Sequence, residues 1–427
     1  MQYNSFLKFQ KANLCKDVIF PVNNSALLPS AVMRSVSMVK IEVGKDALLN
    51  VKKGSRVDIG TLIANADTTP VYSSVSGKVV SAKKNDGFIC IETVDEQKTD
   101  ENLKKPRISS AKALVKAFKD CGLCEHEKLT SAETLIINCC ENDPVVSANQ
   151  LCATEDYDNI FKAVYLLKKY LGFKNIIFAA DSNQKNVFYR FTEIIGNNRD
   201  KYENTSVMWI TSFVPNEELL SFYVLGKEKA NTEFLVLGVQ TVAKFGEYVK
   251  TGMPIVSKRV TVDGIVNTPQ NVIVPLGAPV NEIFEFCGGV YDIPSSVSLG
   301  GALAKETFCQ DECFVQKDTA CVFVQGVTAA VEPTACIGCA RCADYCPIKL
   351  YPFEVEDAVL KENYKKLSKQ NVDKCIECGV CGYVCPAARP LLAAMAEGKK
   401  MMENYEPAEE KKFNLLKLFK KGDKGNE

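Results

Sequence analysis

Two cysteine runs near the C-terminus share one spacing. The first is Cys336-Ile-Gly-Cys339-Ala-Arg-Cys342-Ala-Asp-Tyr-Cys346-Pro347, and the second is Cys375-Ile-Glu-Cys378-Gly-Val-Cys381-Gly-Tyr-Val-Cys385-Pro386. Both fit C-x2-C-x2-C-x3-C-P, the bacterial run that holds paired [4Fe–4S] clusters. Three thiols on one tight loop can face a single cluster. The fourth lies past another turn, and its proline directs the chain away. In two-cluster ferredoxins that fourth cysteine ligates the other cluster. The spacing therefore predicts one cluster on Cys336, Cys339, Cys342 and Cys385, and a second on Cys375, Cys378, Cys381 and Cys346. Crossed ligation of this kind brings two clusters close together, which suits electron transfer. Zinc also takes four thiolates, but its sites are usually built from separated C-x2-C pairs.

A chain of 427 residues exceeds one ordinary core and predicts three or four domains. Lys plus Arg balances Asp plus Glu at 52 each, so no global field draws in nucleic acid. Of 19 cysteines, eight belong to the two runs. The rest are scattered, in a chain too long to need disulfide staples, and a reducing compartment is the natural home for cluster thiolates. The first ten residues lack the apolar core of a signal peptide, and no apolar run is long enough to span a membrane. A single His limits the usual acid–base chemistry.

Residues 1–35 read as an irregular segment. From Val39 short alternating stretches recur between glycines, closing with Val75-Ser-Gly-Lys-Val-Val80, and predict a small β module over 36–105. It is similar to a biotinyl/lipoyl-type barrel sandwich. It lacks a Met-Lys-Met triplet, so a structural role is expected. Residues 106–252 alternate helix and strand signals: helical spacing over 111–118, 160–171, 187–195 and 242–249, and apolar strands at 134–138, 175–180, 207–210 and 234–237. This predicts a layered, Rossmann-like α/β domain with a mostly parallel sheet. Residues 253–318 return to strands, at 258–266 and 271–275, with a short helix over 280–287, as in a compact β-grasp unit. Residues 319–398 hold the cysteine runs with a helical spacer over 354–369. Residues 399–427 form a charged tail. Its end, 411–421, alternates lysines with apolar residues and suits an anionic membrane surface, a partner or plain solvent. The fold class is a multidomain α+β assembly.

The order of these parts resembles the RnfC family, the C components of Rnf ion-translocating ferredoxin:NAD oxidoreductases, over roughly residues 35–400. Ser74-Val-Ser-Gly-Lys-Val79 resembles the family's barrel hairpin. Glu133-Thr-Leu-Ile-Ile-Asn138 resembles the strand before its nucleotide-site acid. Arg259-Val-Thr-Val-Asp-Gly264, Gly277-Ala-Pro-Val280 and Cys287-Gly-Gly289 resemble its soluble-ligand-binding β-grasp (SLBB) unit. The cysteine runs match the family's cluster ligands residue by residue. The family also has a glycine-rich loop ending in Gly-Phe-Pro-Thr, whose backbone N–H groups approach flavin and nucleotide phosphates. Here that place reads Phe118-Lys-Asp-Cys-Gly-Leu-Cys-Glu-His-Glu-Lys-Leu129. After the strand, Cys140-Glu141-Asn142-Asp143-Pro144 stands for the family's Glu-Cys-Glu-Pro, with Glu141 keeping one acid. A further Tyr-Pro and Gly-Gly motif is absent from 207–215. These losses argue against FMN and NADH binding. Cys121, Cys124, His126, Cys139 and Cys140 cluster in sequence where the flavin loop would be, and read either as another metal site or as small buried residues.

The resemblance implies a peripheral subunit on the cytoplasmic face of the cell membrane, passing electrons through two clusters. Its partners would be the membrane subunits and a soluble protein such as ferredoxin or flavodoxin. Arg341 and Lys374, beside ligands, are candidates to favour the reduced state. The alternatives are an NADH-oxidising FMN flavoprotein with a diverged loop, a cobalamin-reductase-like protein, and a non-redox scaffold.

Overall fold

The computed structural model describes residues 28–66, 69–130, 132–182, 184–210, 219–221, 224–225, 234–303, 313–327, 332–403 and 405. The chain forms two compact units, Met1–Glu332 and Pro333–Glu427.

The first unit opens with β1 (Ala31–Val32), β2 (Met38–Glu42), β3 (Leu48–Leu49), β4 (Arg56–Val57), β5 (Leu62–Ala66), β6 (Thr69–Tyr72), β7 (Gly77–Ala82) and β8 (Phe88–Thr93). All but β1 form two small sheets, β2-β8-β7-β4 and β3-β5-β6, with antiparallel pairing throughout. Period-two alternation puts Val39, Ile41, Val79, Ile89 and Ile91 inside.

An α/β layer follows: α1 (Ala111–Asp120), β9 (Thr134–Asn138), α2 (Ala148–Glu155), α3 (Tyr157–Leu171), β10 (Asn175–Asp181), α4 (Lys185–Asn197), β11 (Thr205–Ile210), β12 (Phe234–Gly238) and α5 (Val239–Thr251). The sheet order is β11-β10-β9-β12, and every neighbouring pair is parallel. Within the layer the order is 3-2-1-4, as at the start of a doubly wound sheet, a class whose ligands bind at the carboxyl ends of the strands. Leu135, Ile136 and Ile137 are all fully buried, as a strand covered on both faces requires. Gly172 caps α3 in the left-handed region, as its position after the apolar pattern predicts. The helices α3 and α5 approach so closely that a Cβ on Gly246 would lie 1.9 Å from the Asn159 carbonyl oxygen.

The unit closes with β13 (Ser257–Gly264), β14 (Gln270–Pro275), α6 (Val280–Phe286), β15 (Pro294–Ser298) and β16 (Cys321–Gly326). Their sheet runs β1-β14-β13-β16-β15. Two expected boundaries move. Strand β1 lies in the segment read as irregular and pairs in parallel with β14. Strand β16 lies beyond residue 318, yet pairs in parallel with β13, so the cysteine-bearing unit begins at Pro333. The β module and this sheet are also not separate bodies: Val39, Ile63 and Ile91 share one apolar cluster with Val260, Val272 and Val324. Two small β units bury more by pooling their faces than each can alone. Lys40 N–H donates to the Gly277 carbonyl at 2.9 Å across this junction. Buried Arg259 ties β13 to the end of α2, with 2.8 Å to Glu155 and 2.7 Å to Asp156. Cys313 is disulfide-bonded, although a chain of this length is expected to need no disulfide staple.

The second unit contains α7 (Arg341–Asp344), α8 (Pro352–Leu360), α9 (Tyr364–Lys369), α10 (Val380–Tyr383) and α11 (Leu391–Glu403). The spacer expected as one helix over 354–369 is two helices. The chain turns at Glu362, whose φ is +48°, and the Asn363 side chain caps the next helix by accepting from Lys366 N–H. Helix α11 crosses the boundary expected at 398, because Leu391, Met395 and Gly398 pack inward. The tail stretch 411–421 lies outside the described residues. No described helix is long and apolar enough to cross a membrane.

Candidate metal centre

The two cysteine runs adopt the same backbone. In each, the third residue of the first C-x2-C is left-handed: Gly338 at φ +69° and Glu377 at +53°. So is the residue after the second cysteine, Ala340 at +59° and Gly379 at +76°, and the third after the last, Lys349 at +59° and Ala388 at +48°. A non-glycine residue in this region costs ~1–2 kcal/mol, and such strain collects at functional sites. The turns fold each loop over its own thiols. Helices α7 and α10 then carry the third cysteine of each run, Cys342 and Cys381.

Tertiary structure then sorts the thiols across the runs. One cavity is lined by Cys336, Cys339, Cys342 and Cys385, together with Phe353, Arg389 and Leu391. A second is lined by Cys346, Cys375, Cys378 and Cys381, together with Ile348, Leu392 and Met395. All eight cysteines are free. The runs are joined by Thr334 N–H, which donates to the Ala387 carbonyl at 3.0 Å. Among the described residues no three His, Cys, Asp or Glu side chains converge closely enough to hold a single metal ion; the thiols stand around a volume. Exposure differs between the cavities. Cys336 and Cys339 are exposed, whereas Cys346 and Cys381 are buried. Burial pushes the Cys378 thiol up to about 12, so an iron group binding there would displace protons. Backbone N–H groups of Leu350 and Glu377 approach the Cys346 and Cys375 sulfurs at 3.3 and 3.4 Å, contacts that stabilise a thiolate.

The other sequence candidates sort differently. Glu141 lies just past the carboxyl end of β9. Its Oε1 accepts from Asn149 and Gln150 N–H at 2.8 and 2.9 Å, and its own N–H donates to Asp181 Oδ2 at 3.1 Å. Its Oε2 is shut off from solvent without a hydrogen-bond partner. Burial pushes Glu141 up to about 8 and Asp181 up to about 6. Cys121 and Cys139 pack in the apolar core of the α/β layer. The Cys140 thiol donates to the Ala179 carbonyl, and Cys124 is exposed. Neither Arg341 nor Lys374 lines a cavity. Arg341 is exposed, and Lys374 Nζ donates to Asn371. The charged residues that do lie in the cavity walls, Arg389 and Glu377, carry no motif signal.

Residues 329–401 match the family described as a 4Fe-4S dicluster domain, and residues 121–266 match the Nuo51 FMN-binding domain. The chain is 24% identical over 400 residues to the C component of the Na(+)-translocating ferredoxin:NAD(+) oxidoreductase complex of Acetobacterium woodii, covering 85% of this chain and 89% of that relative. It is 25% identical to the C component of the proton-translocating ferredoxin:NAD(+) oxidoreductase complex of Clostridium ljungdahlii, covering 78% and 80%. The chain is thus similar to RnfC proteins over most of its length. The C component of an ion-translocating oxidoreductase complex from Methanosarcina acetivorans is 36% identical, over 30% of this chain and 29% of its own length. An NAD+-reducing [NiFe]-hydrogenase chain aligns at TM-score 0.48 and 12% identity, over 70% of this chain and 64% of its own.

The segment 121–129, where the family resemblance places a flavin loop, packs against the α/β layer. Leu123 and Leu129 are buried in the α/β core. Cys121 and Gly122 N–H groups are taken by the carbonyls of Ala117 and Lys119, and Cys124–Lys128 winds into a short 3-10 helix. A phosphate cradle needs free backbone N–H groups, and those of Cys121 and Gly122 are already engaged.

Proposed function

We propose that this chain is the electron-transfer subunit of a membrane-associated Rnf-type redox complex, relaying electrons through two [4Fe–4S] clusters. The observation that carries this reading is the sorting of eight free cysteines around two cavities, with one thiol exchanged between the runs. On this reading Cys336, Cys339, Cys342 and Cys385 hold one cluster, and Cys346, Cys375, Cys378 and Cys381 hold the other. Bound there, the clusters supply one-electron transfer at potentials set by net charge, hydrogen bonds to sulfur and solvent exposure. The protein's own part is to hold the thiols and to line both cavities with apolar side chains, Phe353 and Leu391 in the first and Ile348, Leu392 and Met395 in the second, with Cys336 and Cys339 left exposed. The exposed pair is where a soluble partner such as ferredoxin or flavodoxin would exchange electrons. The names of the A. woodii and C. ljungdahlii relatives support membership of an ion-translocating redox complex; peripheral attachment on the cytoplasmic side is what the family resemblance implies. We read the two small sheets as a barrel sandwich and the five-stranded sheet with α6 as an SLBB β-grasp, both structural.

On this reading electrons bypass any flavin, since 121–128 is taken up by a short helix and its own backbone hydrogen bonds. The second reading, an NADH-oxidising flavoprotein, is favoured by the match of 121–266 to a FMN-binding domain and by the enclosed Glu141 carboxylate at the carboxyl edge of the sheet. The two separate in one assay. Anaerobic protein given NADH and ferricyanide should show no reductase activity, while dithionite bleaches its iron–sulfur absorbance. Turnover with NADH would reverse the choice.

A further inference from the structure

The two cavities differ in the sign of the charge built into their walls. Arg389 lies in the wall of the first, beside Cys336, Cys339, Cys342 and Cys385. Its Nε donates to Glu356 Oε2 at 2.7 Å, and its Nη1 donates to the Thr334 carbonyl at 3.0 Å. Glu356 is a buried carboxylate on α8 and does not line the cavity. Two anchors on a planar guanidinium fix its direction as well as its place. In the second cavity the order is inverted. Glu377 is in the wall, and its partner Lys399, outside the lining, donates to Glu377 at 2.7 Å and to the Cys375 carbonyl at 3.0 Å. The lining of the first cavity thus includes the cation of its ion pair, and that of the second the anion.

We propose that Arg389, oriented by Glu356, is a positioning residue that raises the reduction potential of the cluster in the first cavity above that of the second. The inference rests on the cluster-binding reading above. Adding an electron makes a cluster more negative, and a fixed cation in a partly desolvated wall favours that state. An electron entering the pair therefore rests on the cluster under Arg389, the one with the more exposed thiols, from which a soluble partner collects it.

The test is an anaerobic potentiometric titration of the full chain, followed by electron paramagnetic resonance, in wild type, Arg389→Gln, Arg389→Lys and Glu356→Gln. Arg389→Gln should lower one potential, changing that cluster's one-electron equilibrium about tenfold, or ~59 mV, and leave the other in place. Glu356→Gln keeps the cation but removes its counter-charge, and should move the same potential upward. Arg389→Lys should recover most of the wild-type value. A merely structural role would move both variants the same way, or both clusters together; either result overturns the proposal, as does no shift at all. Should Arg389→Gln fail to retain iron, the upward shift in Glu356→Gln decides. A wild-type protein without iron–sulfur signals would instead remove the cluster reading itself.

Discussion

Replacing Cys346 with Ser separates crossed from uncrossed ligation. In sequence Cys346 ends the first run, but in space it stands with Cys375, Cys378 and Cys381. It is buried at 8% exposure, and its sulfur takes the Leu350 N–H at 3.3 Å. A serine there offers the second cavity three thiolates rather than four. The first keeps its full set, since none of its thiols comes from residue 346. Iron per chain should fall from about eight to about four, the content of one [4Fe–4S] cluster. The survivor can be identified through Arg389, which lies only in the first cavity's wall. Adding Arg389→Gln to Cys346→Ser should still lower the remaining potential. Adding it to Cys385→Ser, which empties the first cavity, should do nothing. The assay is iron and sulfide analysis of anaerobically prepared protein, then the potentiometric titration. If the Arg389 effect survives in Cys385→Ser and vanishes in Cys346→Ser, each run holds its own cluster and the crossed assignment is wrong.

Other consequences are open to simpler measurements. Gly246→Ala should destabilise the protein by ~1–3 kcal/mol or more in urea unfolding, because the new Cβ meets backbone rather than a movable side chain. Gly196→Ala, where a Cβ meets nothing within 4 Å, should be neutral or stabilising by up to ~1 kcal/mol. Glu141 and Asp181 are pushed up to about 8 and about 6, so the folded state keeps protons that the unfolded chain has released. Stability should therefore fall as pH rises from the ordinary carboxylate range through about 8. At ~1.4 kcal/mol per pKa unit the fall is on the order of several kcal/mol, and Glu141→Gln should remove the larger part of it; a flat wild-type profile would contradict the buried acid. Arg259→Met should cost ~2 kcal/mol, less than a fully buried pair, since Glu155 and Asp156 keep about a third of their exposure.

Local chemistry explains which features the sequence disclosed. The strands at 134–138 and 175–181 are short apolar runs between helical patterns, and Gly172 marks where α3 must stop, so the parallel layer could be read directly. The cysteine spacing led to the same two sets of four that the structure gathers around cavities. Pairing partners were another matter. Nothing in Cys321–Gly326 says that it adds to a strand sixty residues earlier, and β1 is two residues long, too short for any alternation to register. The break between α8 and α9 rests on one left-handed residue, Glu362, of a type that usually favours helix. Arg389 escaped notice for a related reason. Its partner Glu356 is 33 residues away, and proximity to a ligand in sequence drew attention to Arg341 and Lys374, which line neither cavity. The shared core of the β module and the five-stranded sheet is a tertiary fact, built from side chains that would serve equally well in two separate cores.

The central claim is tested most directly by purifying the chain anaerobically and quantifying iron, acid-labile sulfide and flavin on one sample. Two [4Fe–4S] clusters and a segment 121–128 engaged in its own hydrogen bonds predict about eight irons and eight sulfides per chain, with no flavin. One flavin alongside that iron would show that the loop at 121–128 opens into a phosphate site after all, and iron near zero would contradict the cluster assignment outright.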